Sequence, residues 1–218
     1  MKKLLIIILF IVWFASLSAQ EGQKLNLGID MSFGLHYFDS ERNNPLATGF
    51  SVGYEYDFIF FFGVEAGFRF GGFNQKVDYF DPNLGLNGLD DPTKNIHSED
   101  IYRGLYWAPY IAPKIYLPIG YDENKDRPRF LYIENRFSYG RMNLNLDKIE
   151  NMKGSSHKYH FQYEIRAGYQ FPVSDNWAIN CWLGYNTFDF SKIKPEAIRF
   201  KNSTPFQIGI GFNYIIKQ

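Results

Sequence analysis

The protein is a chain of 218 residues with 23 basic and 23 acidic side chains, so its formal charge is zero and a nucleic-acid partner is not indicated. Aromatic residues make up 19% of the chain, with 16 Tyr and 22 Phe, yet the mean hydropathy is only -0.30. This combination favours strands with one apolar face over membrane helices, which need runs of about 20 apolar residues. The single cysteine, Cys181, excludes an intramolecular disulfide framework.

The N-terminus has the pattern of an export signal. Two lysines precede an apolar run from Leu4 to Phe14, and the small-residue segment Ala15 to Ala19 follows. A charged start, a short apolar run and a small-residue exit predict a cleaved signal peptide over residues 1–19. The alternative, a transmembrane anchor, is disfavoured because the apolar run is too short. Residues 20–218 are then expected to form a single domain.

Eight stretches of the mature chain alternate apolar residues with polar residues or glycine. Side chains of a strand alternate between its two faces, so each stretch predicts a strand with one apolar and one polar face. Most are about as long as a tilted strand that crosses a bilayer. The predicted strands are Leu25–Leu35, Phe50–Tyr56, Phe62–Gly71, Ile101–Leu117, Leu131–Tyr139, Tyr159–Phe171, Trp177–Asn186 and Phe206–Ile216.

The connections alternate between long ones, after strands 1, 3, 5 and 7, and shorter ones, after strands 2, 4 and 6. An even strand count with this asymmetry is typical of bacterial outer-membrane barrels, whose periplasmic turns are short and whose external loops are long. The sequence therefore predicts an all-β fold, an eight-stranded antiparallel transmembrane β-barrel with both termini in the periplasm. A soluble lipocalin-type barrel would need an apolar interior, whereas the second face here holds glycine, asparagine and charge.

The fourth and fifth strands break the outward apolar row. Pro109 and Pro113 share the outward parity of the fourth strand and cannot donate to a ladder, so a bulge or a weakened seam is expected there. Asn135 falls on the outward parity of the fifth strand, where an unpartnered amide in lipid costs free energy. Two interpretations remain open: a bulge turns Asn135 inward, or this side of the barrel docks another membrane protein.

The chain resembles the small eight-stranded outer-membrane barrels, similar to the OmpA transmembrane domain, OmpX and the PorT-like barrels of Bacteroidota. The strand pattern carries this resemblance over nearly all of the mature chain, together with the Ser18-Ala19-Gln20 exit and the end at Lys217 and Gln218. The resemblance implies contact with outer-membrane lipid and lipopolysaccharide, and recognition of the C-terminal strand by the barrel-assembly machinery. It also implies that other outer-membrane proteins are partners.

The polar face should fill the lumen of so small a barrel. Its charged residues are expected to neutralise one another, because an unpaired charge in so narrow a space is costly. We therefore predict a closed salt-bridge plug, with an ion or proton path as the alternative. The predicted lumen charge network consists of Asp30, Glu55, Glu65, Arg69, Lys114, Glu134, Arg136, Glu164 and Arg166.

Catalytic and metal sites are alternatives to a purely structural plug. The histidine candidates are His36, His97, His157 and His160, with Ser138, Ser155, Ser156 and Glu164 as partners. Sequence does not supply the geometry that a Ser-His-acid set requires, so no catalytic residue and no cofactor are predicted.

The connection from residue 74 to 100 holds Asp81, Asp90, Asp91, Glu99 and Asp100 around His97. Oxygen ligands of this kind suit Ca²⁺, but the EF-hand spacing is absent, and a solvated acidic loop is the simpler interpretation.

The expected function is that of a non-enzymatic, accessory or structural subunit of a larger outer-membrane complex for secretion, protein insertion or nutrient uptake. The side that carries Pro109, Pro113 and Asn135 is the expected contact. A lipid-modifying enzyme and a free-standing surface-binding barrel are the alternatives.

Overall fold

The computed structural model describes residues 22–34, 44–80, 97–122, 127–149, 152–194 and 203–217. Eight antiparallel strands close into a barrel in which each strand pairs with its chain neighbours and β1 pairs with β8, so the predicted fold class is confirmed. No helix in the described ranges is long and apolar enough to cross a membrane. The strands are β1 (Gly22–Phe33), β2 (Leu46–Ile59), β3 (Phe62–Phe80), β4 (His97–Asp122), β5 (Arg127–Asn145), β6 (Ser155–Pro172), β7 (Trp177–Asn186) and β8 (Phe206–Lys217).

The two ends of the barrel differ in their connections. One end carries the start of β1, the end of β8 and the three short connections 60–61, 123–126 and 173–176. We call it the terminal end. The opposite end, the loop end, carries the longer connections 34–45, 81–96, 146–154 and 187–205.

The closing seam joins the first and last strands as the alternation predicts. Leu27 lies opposite Phe212 on the outer face, and Gly28 lies opposite Gly211 on the inner face. The inward glycines of β8 make room for an aromatic side chain: a Cβ atom on Gly209 would overlap the ring of Trp182, which points into the lumen. Glycine is needed here for close approach.

Five strands continue further toward the loop end than the sequence pattern indicated, and β2 is one of them because it begins at Leu46 and not at Phe50. The connection expected from residue 74 to 100 is shorter than that, because β3 runs to Phe80 and β4 begins at His97. In the same way β5 runs to Asn145 and β6 begins at Ser155. The ladder between β3 and β4 starts at the Phe62↔Ile115 pair and continues beyond Phe70↔Trp107 to Phe80↔His97, and this last part is about 34 Å of strand.

In these extensions the inner face is mainly apolar and the outer face is mainly polar, which is the reverse of the arrangement in the rest of the barrel. The alternation pattern therefore did not predict them as strands. Phe73, Val77, Met142 and Leu144 are buried on the inner face, while polar residues such as Asn145 lie outside. An apolar inside and a polar outside are what a sheet in water requires. This reversal therefore marks the upper limit of the outer apolar band.

Aromatic side chains lie at this limit on three adjacent strands. The ring centroid of Tyr159 is 6.3 Å from that of Trp107 and 5.9 Å from that of Tyr139. All three are exposed on the outer face. Rings with one apolar side and one polar group suit the boundary between lipid and water.

The loop end of the lumen is filled by an apolar cluster and not by the glycine and charge that the sequence predicted. Phe188 and Phe190, in the connection after β7, are almost completely buried against Phe73 and Tyr106 of the barrel wall. Asp189 fixes the short 3-10 helix Phe190–Lys192 by accepting from the Ser191 N–H at 3.0 Å. This connection folds back and closes the barrel.

Candidate functional site

The inner face carries a continuous network of ion pairs between the two ends. All nine predicted lumen charges lie on this face and are buried. At the terminal end, Glu55 accepts from Lys24 at 3.2 Å, from Lys114 at 2.7 Å and from the Asn26 amide at 2.7 Å. The hydroxyl of Tyr116 also donates to Glu55.

The middle of the network is organised around Lys114. Its ammonium group donates to Glu65 and lies 3.4 Å from Glu134. Arg136 donates through Nε to Glu134 at 2.9 Å and lies 3.5 Å from Glu65. Arg166 lies 3.5 Å from Glu134 and so links this level to the next one.

Toward the loop end the guanidinium of Arg69 donates to both Asp30 and Glu164, which come from strands on either side of the barrel. Arg166 donates to Glu164 at 2.6 Å and lies 3.7 Å from Asp30. Every buried carboxylate named here therefore has at least two cationic neighbours, as burial of charge requires.

Each cation of the network also lies over an aromatic ring. The guanidinium of Arg136 is 3.8 Å from the ring centroid of Tyr110, and that of Arg166 is 5.0 Å from Trp182. The other three pairs are Arg69 over Tyr106 at 5.2 Å, Lys24 over Tyr116 at 4.5 Å and Lys114 over Tyr132 at 5.9 Å. These contacts hold the charged groups by cation–π attraction as well as by ion pairing.

The network leaves almost no free space. A cavity at its level, lined by Lys114, Glu134 and Arg166 among others, measures about 20 Å³, which is room for about one water molecule. Together with the apolar closure at the loop end, this packing blocks the described lumen to solutes.

Sequence reasoning missed Lys24 and the three tyrosines Tyr106, Tyr110 and Tyr116, whose rings or hydroxyls contact the network. The first predicted strand began at Leu25, three residues after the observed start of β1 at Gly22, and so left Lys24 out. Parity was the available signal, because Lys24 shares its face with Asn26, Asp30 and the other inward positions.

On the outer face, the seam between β4 and β5 is interrupted at the two prolines. Pairs are present at Trp107↔Arg141, Tyr110↔Ser138 and Lys114↔Glu134, but not at Pro109 or Pro113. The pairs between β3 and β4 are continuous there, so the missing N–H donors face β5. The backbone carbonyls opposite them lose the ladder hydrogen bond that a non-proline residue would give.

Asn135 lies at this seam and faces outward, so the bulge that would have turned it inward is not present. The pairing of β5 with β6 is unshifted from Phe130↔Gln170 to Asn145↔Ser155, and it sets Asn135 opposite Ile165. The Asn135 Oδ1 accepts a hydrogen bond from the Tyr163 hydroxyl at 2.7 Å. Asn135 is thus a polar residue in the middle of the outward row of β5 that runs from Leu131 to Tyr139, and its partner Tyr163 lies on the neighbouring strand β6.

The histidine and serine candidates do not form a catalytic set in the described part of the chain. Ser155 and His157 share the outer face of β6 beyond the aromatic boundary, but their partners across the ladder are Asn145 and Asn143. Ser138 and Glu164 are buried, the first beside the Gln162 carbonyl at 3.5 Å and the second within the charge network. His160 is half-buried, and its Nε2 atom has no hydrogen-bond partner among the described residues. His36 lies outside the described residues, as do Asp81, Asp90 and Asp91 of the acidic connection.

The described acidic residues of that connection have other partners. Glu99 forms an exposed ion pair with Lys76 at 2.8 Å, and buried Asp100 accepts from the Tyr102 hydroxyl at 3.3 Å. No cluster of three metal-ligating side chains is found among the residues that the structure describes.

Comparison with known families decides the class of the protein. A family model described as an outer membrane protein beta-barrel domain matches residues 6–215. The chain belongs to this family. This outer-membrane beta-barrel protein is thus located in the bacterial outer membrane, and its outer apolar band faces lipid.

Solved structures of this outer-membrane class are similar to the chain at low identity. The crystal structure of Ail, the attachment invasion locus protein of Yersinia pestis, is 14% identical, with 91% of this chain and 100% of that chain covered and a TM-score of 0.48. Neisserial surface protein A is 14% identical, with 89% and 95% covered and a TM-score of 0.36. No curated protein matches the chain.

Proposed function

We propose that this barrel is a non-conducting, non-enzymatic subunit of a larger outer-membrane assembly, and that it docks through the lipid-facing side of β4, β5 and β6. We call this side the seam face and define it by Pro109, Pro113, Asn135 and Tyr163. The observation that carries the proposal is the polar pair of Asn135 and Tyr163, which lies beside an interrupted ladder within the apolar band.

The physical argument is the cost of polar groups in lipid. Hydrocarbon offers no hydrogen bonds, so each unmatched backbone or amide group at membrane depth costs free energy. The hydrogen bond from Tyr163 satisfies the Asn135 Oδ1 atom. The N–H groups of the Asn135 amide and the backbone carbonyls opposite the two prolines still need hydrogen-bond donors or acceptors. A polar side chain on a membrane-spanning strand or helix of another protein supplies both donors and acceptors, which a lipid tail does not.

The closed lumen supports the same proposal by disfavouring transport. A cavity of about 20 Å³ at the charge network is too small for a nutrient. The absence of a carboxylate beside Ser155 and His157 across the β5–β6 ladder supports a non-enzymatic role. The short turns at the terminal end support termini in the periplasm, and the strand pattern supports kinship with the OmpA-, OmpX- and PorT-like barrels.

Purification in a mild detergent tests the proposal. A second outer-membrane protein should elute together with the wild-type barrel. The Asn135→Leu variant should elute alone. A matched Ile133→Leu change, two residues along the same outward row, should leave the complex intact. A wild-type barrel that elutes alone as a single heat-modifiable band contradicts a subunit role.

A surface-binding barrel is the second candidate, and the extended sheet above the aromatic boundary favours it. β2 starts at Leu46, opposite Asn74, whereas β3 continues to Phe80. Among the described residues no strand pairs with β3 on the β2 side beyond Asn74, so the extension offers a strand edge above the membrane to which a ligand can add. Adhesion of expressing cells to extracellular matrix, compared with cells whose barrel has residues 75–102 replaced by a short turn, tests this role.

A further inference from the structure

The terminal end of the lumen opens into a cavity that the proposed docking role does not use. It measures about 640 Å³ and is lined by Lys24, Asp57, Tyr116, Arg127 and Phe130 among others. Small-molecule and peptide side-chain sites usually occupy about 300–1,000 Å³. We call this cavity the vestibule.

The vestibule is closed at its inner end. Lys24 and Tyr116 form its floor, and both bind Glu55, the first carboxylate of the charge network. Beyond that floor the free volume falls to about 20 Å³. A ligand therefore enters and leaves only from the terminal end, which faces the periplasm in the proposed orientation.

One wall of the vestibule is aromatic. The ring of Phe130 lies between two others, with its centroid 5.4 Å from that of Phe60 and 5.5 Å from that of Tyr116, both edge to face. Apolar and aromatic groups are the usual lining of a ligand site, and they suit the body of an apolar ligand.

Two polar atoms in the lining lack partners and have opposite hydrogen-bonding character. The Nη1 atom of Arg127 and the Oδ1 atom of Asp57 are shielded from solvent, and neither has a hydrogen-bond partner among the described residues. The other oxygen of Asp57 lies 2.7 Å from Lys24 Nζ. Buried polar atoms without partners are rare in proteins and call for an explanation. The vestibule lining therefore offers one hydrogen-bond donor, on Arg127, and one acceptor, on Asp57, to a ligand.

From this geometry we propose that the vestibule binds the free C-terminus of an apolar polypeptide. The terminal carboxylate pairs with the Arg127 guanidinium, a preceding backbone N–H donates to Asp57, and an apolar side chain packs against Phe130 and Tyr116. Arginine suits a carboxylate because its fork of N–H groups matches the two oxygens. A fatty acid supplies the same carboxylate and apolar body, but it has no N–H group for Asp57.

Titration of the full mature barrel in lipid nanodiscs tests the proposal, with N-acetyl-Ala-Phe-Phe as the free acid and as the C-terminal amide. Loss of one charged hydrogen bond corresponds to a change in affinity of about tenfold. The free acid should bind wild type saturably, and the amide should bind about tenfold more weakly. Arg127→Gln should weaken binding of the acid by about tenfold and leave binding of the amide unchanged.

Arg129→Gln is the matched control, because Arg129 is exposed and pairs with Asp122 at 3.1 Å outside the vestibule lining. It should bind the acid as wild type does. Absence of saturable binding to wild type, equal affinity for acid and amide, or equal losses in both arginine variants overturns the proposal, as does tighter binding of decanoate than of the peptide acid. If Arg127→Gln does not give a folded, heat-modifiable band, the comparison of acid with amide on wild type decides alone.

Discussion

The Tyr163 hydroxyl donates to the Asn135 side-chain oxygen at 2.7 Å, and this hydrogen bond joins β6 to β5 on the lipid-facing side of the barrel. The two residues are on neighbouring strands, and Asn135 lies two residues before Phe137, which is the residue opposite Tyr163. The bond satisfies part of the amide and leaves the rest of it at membrane depth. This arrangement suits a surface that meets protein better than one that meets only lipid.

The hydrogen bond predicts a coupling between the two side chains. Tyr163→Phe removes the donor and should lower the free energy of unfolding by about 1 kcal/mol, because the amide oxygen is then unmatched in lipid. In an Asn135→Leu background the same change should have no cost. Urea unfolding in phospholipid vesicles, followed by tryptophan fluorescence, measures the coupling. Equal losses in the two backgrounds would show that the hydrogen bond contributes nothing.

The charge network predicts a large effect from loss of one arginine. Arg69→Met leaves Asp30 and Glu164 without their principal donor and should lower the free energy of unfolding by about 3–5 kcal/mol. Arg129→Met is the control, because an exposed ion pair contributes about 0–1 kcal/mol. Guanidinium unfolding in lipid vesicles compares the two variants. Similar stabilities of the two would contradict the importance of the buried network.

The packing of Trp182 predicts different responses at two glycines. A Cβ atom on Gly209 would overlap the indole ring, whereas one on Gly120 would have no neighbour within 4 Å. Gly209→Ala should therefore lower the unfolding free energy by about 1–3 kcal/mol through overpacking. Gly120→Ala should change it by less than about 0.5 kcal/mol, as surface substitutions usually do. Unfolding curves for the two variants check this contrast.

The two closures of the lumen predict the behaviour of the barrel in planar bilayers. Wild type should show no large, stable openings. Phe190→Ala should loosen the loop-end cluster and cost about 3–5 kcal/mol, as truncation of a buried Phe does. It should still show no openings, because the charge network beneath it is unchanged. Openings in wild type would contradict the closed lumen, and openings only in Phe190→Ala would make the apolar cluster the sole seal.

The strand count, the strand order and the inward charges were predictable because the apolar band repeats with a period of two in every strand. Leu27, Phe68 and Ile210 need lipid on one side, and a closed ring of eight strands provides it. The extensions of β3 to β6 were not predictable by that rule, since Phe73 and Leu144 turn inward once the strands leave the membrane. An apolar residue faces outward where the strand crosses the membrane and inward where it continues beyond the membrane.

The contacts across the lumen could not be predicted from the sequence either. Arg69 and Glu164 come from β3 and β6 and meet only because strand tilt and stagger bring them to one level. Periodicity gives the face of a side chain but not its height in the barrel. The return of Phe188 and Phe190 into the loop end was missed for a related reason: the sequence of that connection gives no regular pattern to follow.

Site-specific photo-crosslinking in intact cells tests the docking role most directly. A photoreactive residue at position 109, 113 or 135 should give the same discrete protein adduct, and mass spectrometry should identify it as one outer-membrane protein. The matched control positions are Ile29 and Ile210, which are exposed on the opposite side of the barrel, and they should give lipid adducts only. Lipid adducts alone at positions 109, 113 and 135 would contradict the proposed seam-face partner.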